Sequence, residues 1–316
     1  MAAPTYQFEQ EIPVQGDGGW DYLSVDRPGH RLYLSHGDQV VVIDLKINKV
    51  VGSIASTPGV HGFALAPELG RGFSSNGKEG AVSIVDLKTL KTIAKTNTGE
   101  NPDAILYVPD HQEVYAFNGK SQSATVIDGK SGKVVATIPL TGKPEFAAVD
   151  PDAHRVYVNI EDKDLVTVID SEAHKAIANW PLKFGKEPTG LSIDTDHHRL
   201  FVGCHNKILL MMDSHDGHIL DHAAIGAGVD STWYDSGTNL AFSSNGEGTV
   251  SIFQVTDKLN PVQTLVTKPR ARTMALDSIS HHIYLPTAEF QSRAPGNERG
   301  QSVPGTFKVL AYTLKK

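Results

Sequence analysis

The segment VVVID at residues 40–44 is the clearest clue to the fold, because it returns along the chain at a nearly constant interval. The variants read VSIVD (82–86), ATVID (124–128), VTVID (166–170), LLMMD (209–213) and VSIFQ (250–254), with a degenerate copy, KVLAY, at 308–312. From residue 44 to residue 254 the closing positions are spaced by 41 to 43 residues. A repeat of about 40–45 residues with several short strands is typical of a β-propeller, so the pattern predicts seven blades.

The second repeat predicts the contents of one blade. Four short runs, VHGFAL (60–65), RGFSS (71–75), AVSIVDL (81–87) and KTIA (91–94), are separated by turn-forming residues that include an Asn-Gly pair. Four antiparallel strands per blade are therefore expected. The Asp that closes each of the first five repeats, such as Asp86, is predicted to cap the backbone of the following turn.

The two ends of the chain are predicted to complete one blade together. Residues 6–14 (YQFEQEIPV) look like a strand but have no repeat of their own, whereas the last repeat lacks an outer strand. We expect the N-terminal strand to close the ring, which removes exposed strand edges between the first and last blades. The repeat runs without a linker, so residues 1–316 are predicted to form a single all-β domain.

Composition narrows the possible partners. The net charge of −7 and the lack of a basic cluster argue against nucleic acid as the main partner. No apolar run approaches the length of a membrane span. Cys204 is the only cysteine, so no intrachain disulfide is possible, and we expect it to be a buried small residue.

Two repeats carry a resemblance to a known family. Residues 31–35 (RLYLS) followed by 41–44 (VVID), and residues 155–159 (RVYVN) followed by 166–170 (VTVID), resemble the YVTN/YncE-like seven-bladed propellers. The resemblance covers essentially the whole chain. It implies an exported protein of a bacterial or archaeal envelope, periplasmic or secreted, and a monomer is expected. Residues 1–4 (MAAP) have no apolar signal core and look like an initiator Met on a trimmed chain.

Ionisable residues recur where the innermost strand of each blade is predicted to begin. These positions are Asp21, His61, Asp103, Glu145, Thr189, Asp230 and Arg272, and all of them except Thr189 are ionisable. A structural repeat does not need ionisable groups at one end of every inner strand, and crowding them around one axis costs electrostatic energy unless something binds there. The sequence therefore predicts an axial binding pocket.

A second group of candidates follows the second strand of each blade. His205, in the sequence CHN at 204–206, lacks the Gly of a tight turn, and His36, Glu161 and Glu289 occupy equivalent loops. Imidazoles near carboxylates suggest a transition metal, with copper or zinc favoured and His61, His205, His36 and Glu289 as ligands. A calcium or magnesium ion held by the carboxylates, and an anion held by Arg272 with the carboxylates as acid/base groups, remain alternatives.

Several other histidines fall in turns or on an outer hairpin, away from the predicted axial pocket. Residues 111, 154, 197–198 and 281–282 fall in turns at the far end of the strands and are expected to face solvent, as are His215, His218 and His222 on an outer hairpin. The surplus segment 290–304 (FQSRAPGNERGQSVP) is polar and is predicted to form a loop that covers the axial pocket as a lid.

Three classes of function fit these observations. The first is an envelope propeller that binds a metal ion or small ligand at its axis. The second is a metal-assisted lyase or lactonase that uses the same pocket, in which a bound metal polarises a carbonyl or activates water while His61, His205 or Glu289 moves the proton. The third is a protein-interaction scaffold, which would not need an ionisable axial ring. The chain has no nucleophile elbow, P-loop or dinucleotide fingerprint.

Overall fold

The computed structural model describes residues 4–291 and 302–315 and confirms the seven-bladed propeller. Within those residues, 28 strands form seven sheets of four antiparallel strands. The first strand of each blade contacts the first strands of its neighbours around the ring, so these strands line the central axis. This arrangement places the start of every first strand at one mouth of the ring.

The strands have equivalent places in every blade. The first strands are β2 (Trp20–Asp26), β6 (Val60–Ala66), β10 (Pro102–Val108), β14 (Pro144–Asp150), β18 (Pro188–Asp194), β22 (Val229–Asp235) and β26 (Ala275–Asp277). The second strands are β3 (Arg31–His36), β7 (Arg71–Asn76), β11 (Glu113–Asn118), β15 (Arg155–Ile160), β19 (Arg199–Cys204), β23 (Leu240–Asn245) and β27 (His282–Thr287). The third strands are β4 (Gln39–Asp44), β8 (Ala81–Asp86), β12 (Ser123–Asp128), β16 (Leu165–Asp170), β20 (Ile208–Asp213), β24 (Thr249–Val255) and β28 (Lys308–Leu314). The outer strands are β5 (Lys49–Ala55), β9 (Lys91–Asn97), β13 (Val134–Pro139), β17 (Lys175–Pro181), β21 (Ile219–Ala224), β25 (Leu259–Val266) and β1 (Tyr6–Pro13).

The seventh blade joins the two ends of the chain, as the sequence predicted. Strand β1 pairs antiparallel with β28, and Ile12 lies opposite Val309 in the register. Ile12 is fully buried, and Lys308 Nζ lies 2.8 Å from Glu11 Oε2 across the same pair of strands. The N-terminal strand therefore supplies the outer edge of the last blade.

Apolar side chains pack between neighbouring blades. Between blades one and two, the stacked rings of Tyr33 and Phe63 lie 4.8 Å apart, and Val40, Val42 and Val85 pack around them. The Asp that closes each of the first five repeats has the predicted structural role, because its Oδ1 accepts a hydrogen bond from an amide of the following turn. In the second repeat, Asp86 Oδ1 accepts a hydrogen bond of 2.7 Å from the Thr89 amide.

The first strand of the seventh blade departs from the register expected from the sequence. Strand β26 begins at Ala275, three residues after Arg272, whereas in the other blades the equivalent residue is the second in its strand. The Thr273 hydroxyl donates a 3.0 Å hydrogen bond to the Asp21 carbonyl in the first blade. The segment before β26 is thus bonded to the neighbouring blade instead of continuing the strand.

Candidate functional site

The mouth at the start of the first strands holds a cluster of ionisable side chains. Asp21, His61, Asp103, Glu145, Asp230 and Arg272 interact electrostatically across this mouth, and we call them the axial cluster. Four of the six are carboxyl groups. The strand starts bring these side chains together because each blade presents the same backbone position to the axis.

His61 lies between two carboxylates from the neighbouring blades. Its Nδ1 is 2.7 Å from Asp21 Oδ2 and 3.5 Å from Asp103 Oδ1. Burial opposes the charged imidazolium, but the hydrogen bond to Asp21 and the charges of Asp103 and Glu145 raise the pKa of His61 to about 9. In the protein without a ligand, His61 is therefore a cation at neutral pH.

The carboxyl groups of the axial cluster are hard to ionise. Burial and the charge of Asp21 raise the pKa of Asp103 to about 6, although His61 opposes the shift. Burial also raises the pKa values of Asp21 and Asp230. Crowded, desolvated carboxylates of this kind gain stability when a proton or another cation neutralises them.

Lys143 is the member of the site that the sequence analysis missed. Its Nζ lies 2.6 Å from Glu145 Oε1 and 2.5 Å from Glu161 Oε2, so it joins an axial carboxylate to one in the loop after β15. Burial and the charge of Asp103 raise the pKa of Glu145 to about 8, against the effect of Lys143. Lys143 precedes Glu145 by two residues, just as Arg270 precedes Arg272. Comparison of this position across the repeats would have identified Lys143 as a candidate.

Arg272 neutralises the carboxylate on the other side of the mouth. Its Nε lies 3.1 Å from Asp230 Oδ2, and this pairing raises the pKa of the guanidinium. Counting Lys143 with the axial cluster, three cationic side chains face four axial carboxyl groups. The site is therefore negatively charged overall when all of its carboxyl groups are ionised.

An aromatic pair separates the axial cluster from the rest of the channel. The rings of Tyr22 and Phe146 meet edge to face with centroids 5.0 Å apart, from blades one and four. Beyond them, first-strand side chains such as Leu65, Leu106 and Ile193 line an apolar cavity of about 590 Å³. The channel is thus polar at one mouth and apolar along its length.

A second cavity opens beside the axial cluster. It has a volume of about 490 Å³ and is lined by Trp20, Arg270, Arg272 and Phe290, among others. The Arg270 guanidinium lies 3.9 Å above the centre of the Phe290 ring. This cavity combines two cationic side chains with two aromatic walls.

The four residues predicted to be metal ligands do not lie together. His61 is in the axial cluster, but His36 is buried, with its ring stacked on Phe307 at 4.1 Å and Nδ1 3.1 Å from the Gly19 carbonyl oxygen. His205 Nδ1 lies 3.4 Å from Glu187 Oε2, and Glu289 Oε1 lies 3.6 Å from Lys308 Nζ. His36 and Glu289 thus contact groups outside the axial cluster, whereas His205 is close enough for its positive charge to oppose the rise in the pKa of Asp230.

Polar residues at the ends of the second strands hold the axial backbone in place. The Ser75 hydroxyl accepts a 2.9 Å hydrogen bond from the Gly62 amide and donates to the Asp103 carbonyl of the next blade. The Asn159 amide donates a 3.0 Å hydrogen bond to the Thr189 carbonyl in the same way. These hydrogen bonds hold the backbone of the first strands, which carries the axial cluster.

Three groups of His and Asp side chains within residues 4–291 and 302–315 have donor atoms close enough to hold a metal ion. They are Asp21–His61–Asp103, Asp110–His111–His154 and Asp213–Asp216–His218. Only the first belongs to the axial cluster.

Comparison with models of known protein families finds no match, and comparison with curated proteins finds none either. In the described part of the chain, no helix has the length and apolarity needed to cross a membrane. Most of the segment predicted as a lid, residues 290–304, lies outside the described residues. Function must therefore be inferred from the geometry of the site.

Proposed function

We propose that this propeller binds a divalent metal ion at its axial cluster, with Asp21, His61 and Asp103 as ligands. The observation that supports the proposal is the position of His61 Nδ1, 2.7 Å from one carboxylate oxygen and 3.5 Å from another. The donor set of one imidazole and two carboxylates suits zinc or copper.

The charge of the site also favours a cation. Burial and the charge of Asp21 raise the pKa of Asp103, and a divalent ion held by both carboxylates would offset both effects. Because the pKa of His61 is about 9, zinc must displace a proton from Nδ1 at neutral pH. Affinity should therefore increase up to about pH 9, well above the range of an unperturbed histidine.

Titration calorimetry with zinc tests the proposal. His61→Ala and Asp103→Asn should each abolish binding at the axis, whereas His218→Ala, which alters an exposed hairpin, should leave it unchanged. Repeating the titration in two buffers with different ionisation enthalpies should reveal the release of one proton, which His61→Ala removes. If His61→Ala binds zinc at the axis like the wild type, the proposal is wrong. A calcium or magnesium site would retain binding in His61→Ala and lose it in Asp103→Asn.

A small anionic ligand is the second candidate. The cavity of about 490 Å³ presents Arg270 and Arg272 between the aromatic side chains of Trp20 and Phe290. An aromatic carboxylate would pair with guanidinium groups and stack on these walls. Tryptophan fluorescence during titration with benzoate, compared between the wild type, Arg272→Gln and a Trp20→Phe variant that identifies the Trp20 signal, tests this candidate. Quenching that is equal in the wild type and Arg272→Gln would exclude Arg272 as the anion anchor.

The proposed localisation rests on the family resemblance, and the enzymatic alternative rests on the axial metal. The resemblance to YVTN/YncE-like propellers supports a monomeric periplasmic or secreted binding protein. A lyase or lactonase activity would require an open coordination position on the axial metal. A screen of lactone hydrolysis with zinc-loaded wild type and His61→Ala separates binding from catalysis, because only a metal-dependent enzyme would lose turnover in the variant.

A further inference from the structure

Two histidines and one aspartate meet on the face of the ring opposite the axial cluster. Asp110 and His111 lie in the turn between β10 and β11, and His154 lies in the turn between β14 and β15 of the next blade. His154 Nδ1 is 3.0 Å from Asp110 Oδ2, and His111 Nε2 is 3.2 Å from the same oxygen. One carboxylate oxygen thus faces two imidazole nitrogens from adjacent blades.

These separations are close to those of a zinc coordination shell. Zinc binds histidine nitrogen and carboxylate oxygen at about 2.0–2.2 Å in a tetrahedron, which sets neighbouring ligand atoms about 3.3 Å apart. The two measured separations are 3.0 and 3.2 Å, and all three donor atoms lie within 4.8 Å of one another. Small side-chain rotations would complete a three-ligand shell with one open position.

His111 Nε2 is a buried polar atom without a satisfied hydrogen bond among the described residues, in spite of its distance from Asp110. Buried side-chain nitrogens normally have a partner, and an exception calls for an explanation such as an absent ion. The His111 side chain as a whole is 28% exposed, so an ion can reach it from solvent.

Backbone hydrogen bonds close the two turns that carry the three side chains. The Gln112 amide donates a 3.3 Å hydrogen bond to the Pro109 carbonyl, and the His154 amide donates a 3.2 Å hydrogen bond to the Pro151 carbonyl. Each ligand therefore projects from a closed turn. Because the turns are already ordered, binding would cost only the entropy of ordering the side chains.

An equivalent turn elsewhere in the ring shows what distinguishes this cluster. His281, in the corresponding turn of blade seven, places Nδ1 2.6 Å from Asp235 Oδ2 of blade six. That contact is a single hydrogen bond between blades, and the His154–Asp110 contact alone would have the same structural role. His111 adds a second imidazole to the same carboxylate oxygen, which a structural hydrogen bond does not require.

We propose that Asp110, His111 and His154 form a second metal site, specific for a late first-row divalent ion such as zinc, which joins blades three and four. Neutral imidazoles and a carboxylate would supply three ligands, and water or an exogenous ligand would take the fourth position. The site is independent of the axial cluster, because none of its residues belongs to that cluster.

Zinc calorimetry and cobalt absorption on the full-length protein test this site. His111→Gln is the decisive variant, because the His111 side chain makes no hydrogen bond within residues 4–291 and 302–315. His281→Ala is the matched control in the equivalent turn. We expect wild-type protein to bind zinc here and to give the intense visible bands of tetrahedral cobalt, and His111→Gln and His154→Ala to lose both. His281→Ala should retain both.

The outcomes separate this site from the axial one. If His111→Gln loses one zinc-binding event and His61→Ala loses a second, both sites are supported. If only His111→Gln loses zinc binding, only the inter-blade site is supported. Retention of all zinc binding in His111→Gln, with a melting temperature that falls only in His154→Ala, would overturn the proposal in favour of a structural hydrogen bond. Absence of zinc binding by the wild type would overturn it as well.

Discussion

Replacement of Asp103 by Asn should stabilise the protein above pH 6 while leaving its stability near pH 3.5 unchanged. Burial and the charge of Asp21 raise the pKa of Asp103 from 3.8 to about 6. The folded protein therefore holds this proton to higher pH than the unfolded chain does. As pH rises from about 4 to 6, the free energy of unfolding falls, because the folded state must accept an unfavourable buried charge.

The size of the effect follows from the two pKa values of Asp103. Each pH unit between them is worth about 1.4 kcal/mol, so the full cost above pH 6 is about 3 kcal/mol. Asn resembles the neutral carboxylic acid in shape and cannot ionise. The Asp103→Asn variant should therefore exceed the wild type by about 3 kcal/mol at pH 7–8 and match it near pH 3.5.

Urea unfolding followed by circular dichroism between pH 3.5 and 8, with a chelator present to keep the axial cluster free of metal, measures this difference. Asp86→Asn is the matched control. Hydrogen bonds from the Thr89 amide and hydroxyl lower the pKa of Asp86, so its charge contributes stability at neutral pH that is lost as the pH falls through that lowered pKa. Asp86→Asn should therefore change stability in the opposite direction. A stability gain in Asp103→Asn that does not depend on pH, or no gain at pH 8, would refute the electrostatic explanation.

Three further predictions concern the fold and the buried thiol. Deletion of residues 1–15 removes β1 and reopens the ring, so the melting temperature in calorimetry should fall sharply, and an unchanged value would contradict closure by this strand. Phe63→Ala removes a ring stacked on Tyr33 between blades one and two and should cost about 3–5 kcal/mol in denaturant unfolding, whereas Phe184→Ala at an exposed site should cost far less. Burial raises the pKa of the Cys204 thiol to about 12, so a chromogenic disulfide reagent should react with it only after unfolding, and rapid reaction with the native protein would count against its burial.

For the axial cluster, the sequence predicted the position of each residue in its repeat but not the direction of its side chain. The repeat placed Asp21, His61 and Asp103 at equivalent strand starts, and the structure brings them into contact. It also grouped His36 with them, but the His36 ring instead packs on Phe307 within the apolar region near the ring closure. A repeat register specifies where a backbone position lies, whereas the direction of each side chain depends on its rotamer and neighbours.

The contacts of His111 and His154 with Asp110 are a second feature that the sequence alone could not reveal. As single residues, His111 and His154 are unremarkable turn residues separated by 43 positions in the sequence. His111 follows Asp110 in one turn, and the packing of blade four against blade three brings His154 to the same oxygen of Asp110. An alignment of the repeats compares only residues at the same position of each blade. It does not reveal a contact between residues at different positions of two blades.

By itself, the sequence determined the number of blades, the four-stranded unit and the closure of the ring by β1. These features depend on local alternation of apolar and polar residues and on turn chemistry, repeated every 41 to 43 residues. The tertiary structure decided which ionisable groups share a site, how deeply the axial carboxylates are buried, and how far the pKa values of His61 and Asp103 are shifted. Those properties arise from distances across the axis and between blades, which are set by the curvature of the closed ring and the packing of its side chains.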